Sequence, residues 1–320
     1  MNNPSAMPVE VTEQQRWLAE HKADTGLPWT KLAAKVGLPH GTLSQFPSGA
    51  YKGDNQKIAD AVFRYRQLLV SQAAVTVDMP AAPPFFETPT ARKISAVLSI
   101  AQRGRIVVIS GAPGTSKTST ARHYAASMAN AKLVTIRPST KNINTMPLAV
   151  LSALGDEKAK GTPQALAGMI VQKLRQLSGG LLIVDEAHYL GDEALEEIRA
   201  WHDDPLVRVG VAFIGNEDVL TRLTLGSKKD TLSRLSSRVA QRFIFRQPTE
   251  ADVTALADAW SIEEDDQRAY LVKVATHGGG LRNCTMLIEL AWMFAAADGG
   301  ELRLDHFEDA WHDLSMQAAA

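Results

Sequence analysis

Apolar positions keep helical spacing near the N-terminus and again after Pro248, and between these regions they condense into short continuous runs. The first region predicts a helix over 10–22, with Thr12 as a candidate cap, and a short helix over 29–36 with Leu32, Ala33 and Val36 on one face. Gly37 follows where a tight inter-helix turn needs a residue free of Cβ strain. A third short helix is expected over 42–46 with Leu43 and Phe46 inward, and Asp54 or Asn55 caps a long helix to about Ser71.

The middle region carries apolar, β-rich runs at 106–110, 132–136, 181–184, 209–214 and 243–245, separated by helical patterns. That alternation predicts an α/β core, a parallel sheet flanked by helices on both faces. Four helices are expected after Pro248, over 250–259, 265–276, 282–297 and 305–314, as a helical lid. Pro80, Pro83, Pro84 and Pro89 crowd one stretch, and proline stiffens an extended chain. The expected organisation is therefore a small all-α helix-turn-helix domain at 1–75, a Pro-rich linker at 76–90, the α/β core at 91–247 and the C-terminal helical lid at 248–320.

Composition narrows the class. With 45% apolar residues the chain is too hydrophobic to be disordered, and no run approaches the ~18 residues of a membrane span. Residues 1–9 lack the basic start and apolar core of a secretory signal. Cys284 is the only cysteine, which excludes an intramolecular disulfide and a multi-cysteine metal site. The expectation is a soluble, intracellular protein with no membrane partner. Lys plus Arg is 34 and Asp plus Glu is 35, so any nucleic-acid contact must use a local basic surface.

The strongest chemistry follows the first β-rich run. Gly111, Ala112, Pro113, Gly114, Thr115, Ser116, Lys117 and Thr118 fit the phosphate-loop pattern G-x-x-x-x-G-K-[ST] except at Ser116, which stands where the pattern has glycine. Such a turn aims backbone N–H groups at phosphates from a helix N-terminus, here continued by Ser119. Lys117 is placed to reach the β- and γ-phosphates of ATP, and the Thr118 hydroxyl to ligate Mg²⁺. The run 181–184 delivers Asp185 and Glu186 at the C-terminal end of a strand, where open α/β sheets bind ligands. Asp185 is suited to hold Mg²⁺ through water and Glu186 to act as general base, although an acidic pair also simply ends strands and caps helices.

Three further features fit the same machine. Asn216 ends the next strand, near the γ-phosphate and the water, or else as a turn residue. Arg234, Arg238 and Arg242 precede the last strand, from which an arginine reaches a nucleotide held by a neighbouring subunit; a solvated basic helix face is the plainer reading of at least one. Arg282 opens a lid helix over the phosphates, or is an ordinary helix-start arginine.

Together these residues resemble the Walker A, Walker B, sensor 1, arginine finger and sensor 2 of AAA+ ATPases. GTLSQF with YKGDNQKI, FFETPT, VDEAHYLG with EALEEIR, RLSSRVAQR and ADVTALADAW also resemble the Mu B family, the DNA transposition proteins of phage Mu and Mu-like prophages. The similarity spans almost the whole chain, and the family usually has glycine at the place of Ser116. It implies an ATPase that self-associates into a helical filament on double-stranded DNA without sequence preference. It also implies recruitment and stimulation of a transposase, delivery of target DNA, and ATP hydrolysis that drives disassembly and target immunity in the cytoplasm of a bacterial host. Two other readings use the same motifs: a replication initiator or helicase loader, and a non-catalytic DNA-binding regulator suggested by Ser116.

The segment WTKLAAKVGLPHGTLSQF reads as a helix-turn-helix. His40, Thr42, Ser44 and Gln45 are candidates for phosphates or base edges, with Lys31, Lys35, Lys52 and Lys57 near enough to neutralise phosphates; a small helical bundle that binds protein or only packs is the alternative. Lys141, Lys158 and Lys160 are candidate DNA contacts lining a channel in an assembly, as are Lys228 and Lys229; a solvated surface lysine is the plainer reading of any one of them. His188 is expected on a helix surface, Trp201, Trp260, Trp292 and Trp311 in packing, and Cys284 as a buried small hydrophobe. Phe85 and Phe86 are expected as linker anchors, with packing near an adenine base the alternative.

Overall fold

The N-terminal apolar spacing forms helices α1 (Val11–Thr25), α2 (Trp29–Val36), α3 (His40–Gln45) and α4 (Asn55–Val75). The computed structural model describes residues 9–75, 84–224 and 230–319, and the chain divides into two units, Met1–Met79 and Pro80–Ala320. Lys228 and Lys229 lie outside the described residues.

In the first unit Leu18, Leu32, Leu43, Phe46, Ile58 and Val62 are buried together, so each helix contributes its apolar stripe to one core. Thr12 does not cap α1. The cap position is Glu10, whose side chain makes no capping bond, and Thr12 lies in the first turn. Gly37 has φ 78 between α2 and α3, the left-handed turn expected of it. Asp54 accepts from the Lys57 amide at 3.0 Å and so caps α4.

The second unit opens with α5 (Pro89–Ala101), whose first turn is capped by the Thr88 hydroxyl accepting from the Ala91 amide at 3.0 Å. The expected linker therefore ends earlier than residue 90. Phe85 also belongs to this unit, stacked on the His123 ring at 3.9 Å with planes 8° apart. Strands β1 (Ile106–Gly111), β2 (Ala131–Thr135), β3 (Leu181–Asp185), β4 (Gly210–Gly215) and β5 (Val239–Phe245) form a sheet of order β2-β3-β4-β1-β5, parallel throughout. Strand alternation feeds two cores. Val108, Val184 and Phe213 face helices α7 (Met146–Ala153), α8 (Pro163–Gln176) and α9 (Asp192–Asp203). Val107, Ile109, Ile183 and Ile214 face α5 and α6 (Lys117–Ser127). Strand β5 begins four positions before the expected run. Among the described residues it is an edge strand, paired only with β1, and its exposed Ala240, Gln241 and Arg242 hide it from an apolar pattern.

Helices α10 (Glu217–Thr224) and α11 (Asp230–Arg238) complete the core, and α12 (Glu250–Ala259), α13 (Asp265–Ala275), α14 (Leu281–Ala297) and α15 (Leu304–Ala319) form the helical C-terminal region. Cys284 is buried there, its thiol pushed up to about 12 by burial. Trp201 and Trp260 are also buried. No described helix is long and apolar enough to cross a membrane.

One buried carboxylate ties this helical region to the start of the core. Asp252 is fully buried and accepts from the Thr90 amide (2.8 Å), the Thr90 hydroxyl (2.7 Å), the Thr249 amide (2.8 Å) and the Thr249 hydroxyl (2.8 Å). Burial alone raises a carboxyl pKa, but these hydrogen bonds outweigh it and hold Asp252 below the ordinary carboxylate value. Asp252→Ala is expected to cost about 3 kcal/mol, because the buried Thr90 amide and hydroxyl and the part-buried Thr249 amide lose a charged acceptor, and to lower Tm by about 6–12 °C. The lowered pKa makes this stabilisation complete at neutral pH and lost only in acid, as pH falls below about 4 towards the folded value. Thermal unfolding of both proteins at neutral and acid pH checks the size and the sign.

Candidate functional site

At the C-terminal end of β1 the chain turns through 112–116 into α6, so the helix N-terminus faces the cleft above the sheet. Lys117 Nζ donates to the Gly111 carbonyl (2.8 Å), the Ala112 carbonyl (2.7 Å) and the Thr115 hydroxyl (3.1 Å). Burial lowers the Lys117 pKa and nearby Arg282 adds to that, while Glu186 and Asp185 oppose it. Ser116 adopts φ 60 and ψ 11 and its carbonyl accepts from the Thr120 amide and hydroxyl and the Ser119 hydroxyl. A left-handed conformation costs a residue with Cβ about 1–2 kcal/mol relative to glycine. The glycine-bearing pattern is thus kept in backbone shape by a serine under strain.

Strand β3 lies two strands from β1 and delivers Asp185 behind the loop. Asp185 is 2% exposed and accepts from the Thr118 hydroxyl at 3.1 Å. Burial raises its pKa; the Thr118 hydrogen bond partly offsets this, and Glu186 adds to the rise. Glu186 stands half-exposed beside it in the cleft. Asn216, at the end of β4, also lines the cleft; its side chain accepts from the Asp218 amide at 3.0 Å and so begins α10.

The fourth wall comes from the helical region. Gly114 has φ 75, and a Cβ there would fall 1.8 Å from the Gly279 carbonyl oxygen, so only glycine permits this approach. The Leu281 amide donates to the Gly114 carbonyl at 3.1 Å, which sets the start of α14 directly on the phosphate loop. Arg282, exposed, then lines the cleft with Leu281, Thr285 and Phe86. The cleft encloses about 390 Å³, within the usual range for a small-molecule site.

The structure thus gathers Gly111, Pro113, Gly114, Thr115, Ser116, Lys117, Thr118, Ser119, Glu186, Asn216 and Arg282 around one cleft, with Asp185 behind Thr118 and Ala112 in the loop. It does not bring Arg234, Arg238 or Arg242 there. Arg238 immediately precedes β5, whose Val239 pairs with Ile106 while Phe245 pairs with Gly111. The strand's 7 residues put Arg238 about 20 Å from the loop. Arg238 Nε pairs with Asp203 at 3.0 Å, and Arg242 Nη2 donates to the Ser236 carbonyl at 3.0 Å. Arg234 is exposed; its carbonyl accepts from the Ser237 hydroxyl at 2.7 Å, and its guanidinium makes no hydrogen bond or ion pair among the described residues.

Of the DNA candidates, Lys31, Lys35, His40 and Gln45 are exposed and Thr42 and Ser44 half-buried, on α2 and α3. Lys141, Lys158 and Lys160 are exposed on connections beside α7, and the Lys141 carbonyl accepts from the Gly191 amide at 2.9 Å. Sequence reading missed Leu281, Thr285 and the Gly279–Gly280 contact, for which the three consecutive glycines of HGGGLRN were the available signal; Phe86, expected as a linker anchor with packing near an adenine base as the alternative, lines the cleft. It also placed His188 on a helix surface. The residue instead sits in the turn after β3, its Nδ1 3.2 Å from Glu186 Oε2.

Residues 237–314 match the family model described as Mu B transposition protein, C terminal, and residues 100–223 match an AAA domain. The chain is 32% identical over 305 residues to the ATP-dependent target DNA activator B of Escherichia phage Mu, covering 94% of each. It is 34% identical over 271 residues to the Mu-like prophage FluMu DNA transposition protein B of Haemophilus influenzae, covering 84% of this chain and 92% of that one. The chain belongs to the Mu B family of transposition proteins. Its core shares the AAA+ fold of the Aeropyrum pernix ORC2 protein, with a TM-score of 0.55 at 14% identity over 73% of this chain and 70% of that one. A chain of Drosophila ORC gives a TM-score of 0.50 at 17% identity, over 76% and 65%.

The Ser116 strain is measurable. Ser116→Gly is expected to stabilise the protein by about 1 kcal/mol, raising Tm by about 2–4 °C with nucleotide affinity unchanged or tighter. A lower Tm in a melting experiment would show that the serine side chain contributes more than its strain costs.

Proposed function

We propose that the chain is an ATPase whose nucleotide controls its assembly on double-stranded DNA. The observation that carries this reading is the convergence of the phosphate loop, Glu186, Asn216 and Arg282 on one cleft, while the arginines before β5 stand at the other end of the sheet.

The cleft residues fit ATP with Mg²⁺. Backbone amides of 114–118 and the α6 N-terminus are an anion site, and Lys117 has a loop-bound ammonium ready to move to phosphate oxygens. Thr118 and Asp185 are adjacent hard oxygen donors and would hold Mg²⁺, partly through water. Mg²⁺ when bound neutralises charge on the phosphate oxygens. Glu186 orients a water and takes its proton as the oxygen attacks the γ-phosphorus, while the bond from that phosphorus to the β–γ bridging oxygen breaks and ADP leaves with the bridging oxygen. Asn216 and Arg282 contact the γ-phosphate from opposite walls. Arg238 of a second copy supplies the remaining positive charge, with Arg234 as the other candidate. The cis distance of about 20 Å supports a role between subunits.

This makes ATP an adhesive between copies, and a ligand shifts an assembly only through such differential affinity. Self-association into a helical filament on DNA of any sequence, through α2–α3 and the lysines near α7, follows from this reading. So do engagement of the transposase, delivery of target DNA, and release of subunits on hydrolysis as the source of target immunity. The relatives in phage Mu and Haemophilus influenzae, a target DNA activator and a DNA transposition protein, support it.

Glu186→Gln is expected to bind ATP and DNA as the wild type does but to hydrolyse at least about 100-fold more slowly, leaving persistent DNA complexes. Loss of ATP binding would instead reverse the division of roles between Asp185 and Glu186. Arg238→Ala is expected to lose assembly-dependent turnover while the isolated subunit keeps its nucleotide affinity. Unchanged turnover would move the role to Arg234 or Arg242.

A further inference from the structure

The turn that carries Glu186 is held more firmly than the end of a strand requires. Glu186 has φ 55 and ψ 35, a left-handed conformation that is strained for a non-glycine residue. Surrounding contacts enforce it. Its carbonyl accepts from the Tyr189 amide at 3.1 Å, and Ala187 and Leu190 are both buried. Arg222, from α10, clamps the same turn: Nη1 donates to the His188 carbonyl (3.1 Å) and the Leu190 carbonyl (2.8 Å), and Nη2 to Asp192 Oδ1 (2.6 Å). The helix that starts at Asn216 therefore also grips the backbone after Glu186.

The clamp places the His188 imidazole between the glutamate and the end of β4. Nδ1 lies 3.2 Å from Glu186 Oε2, outside hydrogen-bond alignment, and the side chain is only 16% exposed. The ring leans on Tyr189 at 4.2 Å, and a Cβ on Gly215 would stand 3.3 Å from the same Nδ1. Nδ1 is buried and has no hydrogen-bond partner among the described residues. A buried polar atom in that situation is destabilising until it is paired, and a small rotation of the Glu186 carboxylate pairs it.

We propose that His188 is a positioning residue for Glu186: with its proton on Nδ1 it donates to Oε2 and leaves Oε1 as the oxygen presented to the cleft, from a backbone that Arg222 fixes. The inference rests on Glu186 being the base. A freely rotating glutamate spends much of its time in rotamers that do not face the water, and loss of alignment by about 1 Å costs up to about 100-fold in rate.

The test separates the N–H group from the ring. His188→Phe keeps an aromatic ring in the space between Tyr189 and Gly215 and removes the donor; His188→Asn places an amide N–H near the Nδ1 position. Steady-state kinetics are read beside ATP-analogue affinity by fluorescence titration and Tm by thermal unfolding. The Phe variant is expected to lose about 10–100-fold in kcat with KM and affinity within about twofold, and the Asn variant to recover most of that loss. In a Glu186→Gln background His188→Phe should cost nothing further. Wild-type kcat in the Phe variant, an Asn variant as slow as Phe, or an additional loss in the Gln background would each overturn the proposal. If the Phe ring prevents folding, His188→Leu carries the same comparison. Wild-type turnover by Glu186→Gln alone would remove the reading of Glu186 as base and this inference with it, whereas failure of the His188 series alone leaves that reading standing.

Discussion

The phosphate loop and the C-terminal helices meet through backbone, and the rest of the site depends on that contact. Gly114 packs so closely on Gly279 that no side chain fits, and the Leu281 amide donates to the Gly114 carbonyl at 3.1 Å. A contact of this kind has little slack, since interiors are packed like crystals and shift between discrete arrangements. Whatever changes the loop is felt one residue further on, at Arg282. The second attachment, Asp252 to Thr90 and Thr249, fixes where the helical region begins. Between these two points that region is joined to the core at the nucleotide cleft and at the start of α5, the helix that follows Phe86.

Electrostatics in the cleft follow from the same crowding. Burial lowers the Lys117 pKa and raises that of Asp185, so both charged forms are held at a cost that phosphate and a divalent cation would offset. The parallel sheet places all strand ends of one kind on this side and leaves Arg238 on the other. On the proposed reading, a subunit with its nucleotide cleft at one end of the sheet and Arg238, paired here with Asp203, at the other is suited to head-to-tail association, which closes into rings or continues as helices.

Legibility in the sequence followed the physics of each element. Buried strands such as β1, β3 and β4 announce themselves as apolar runs, and the phosphate loop as a glycine pattern tied to a strand and a helix. Edge strand β5 was half hidden because its outer positions are polar. Thr12 was misplaced as a cap because cap and first-turn residues differ by backbone angle rather than by type. His188 was misread because a period argument assumes a helix, while the chain makes a short turn there that folds the ring back on Glu186. Phe86, Thr285 and the Gly279–Gly280 contact join the cleft through tertiary approach, which has no period in the sequence.

On the proposed function, nucleotide in this cleft controls attachment to DNA. The most direct measurement is sedimentation, with imaging of the pelleted complexes, of the wild-type protein on several unrelated duplexes with and without ATP and Mg²⁺. Filaments that form on every duplex and only with ATP are the predicted result. Binding that ignores ATP, or that requires one particular sequence, would contradict the account and favour a regulator or an initiator instead.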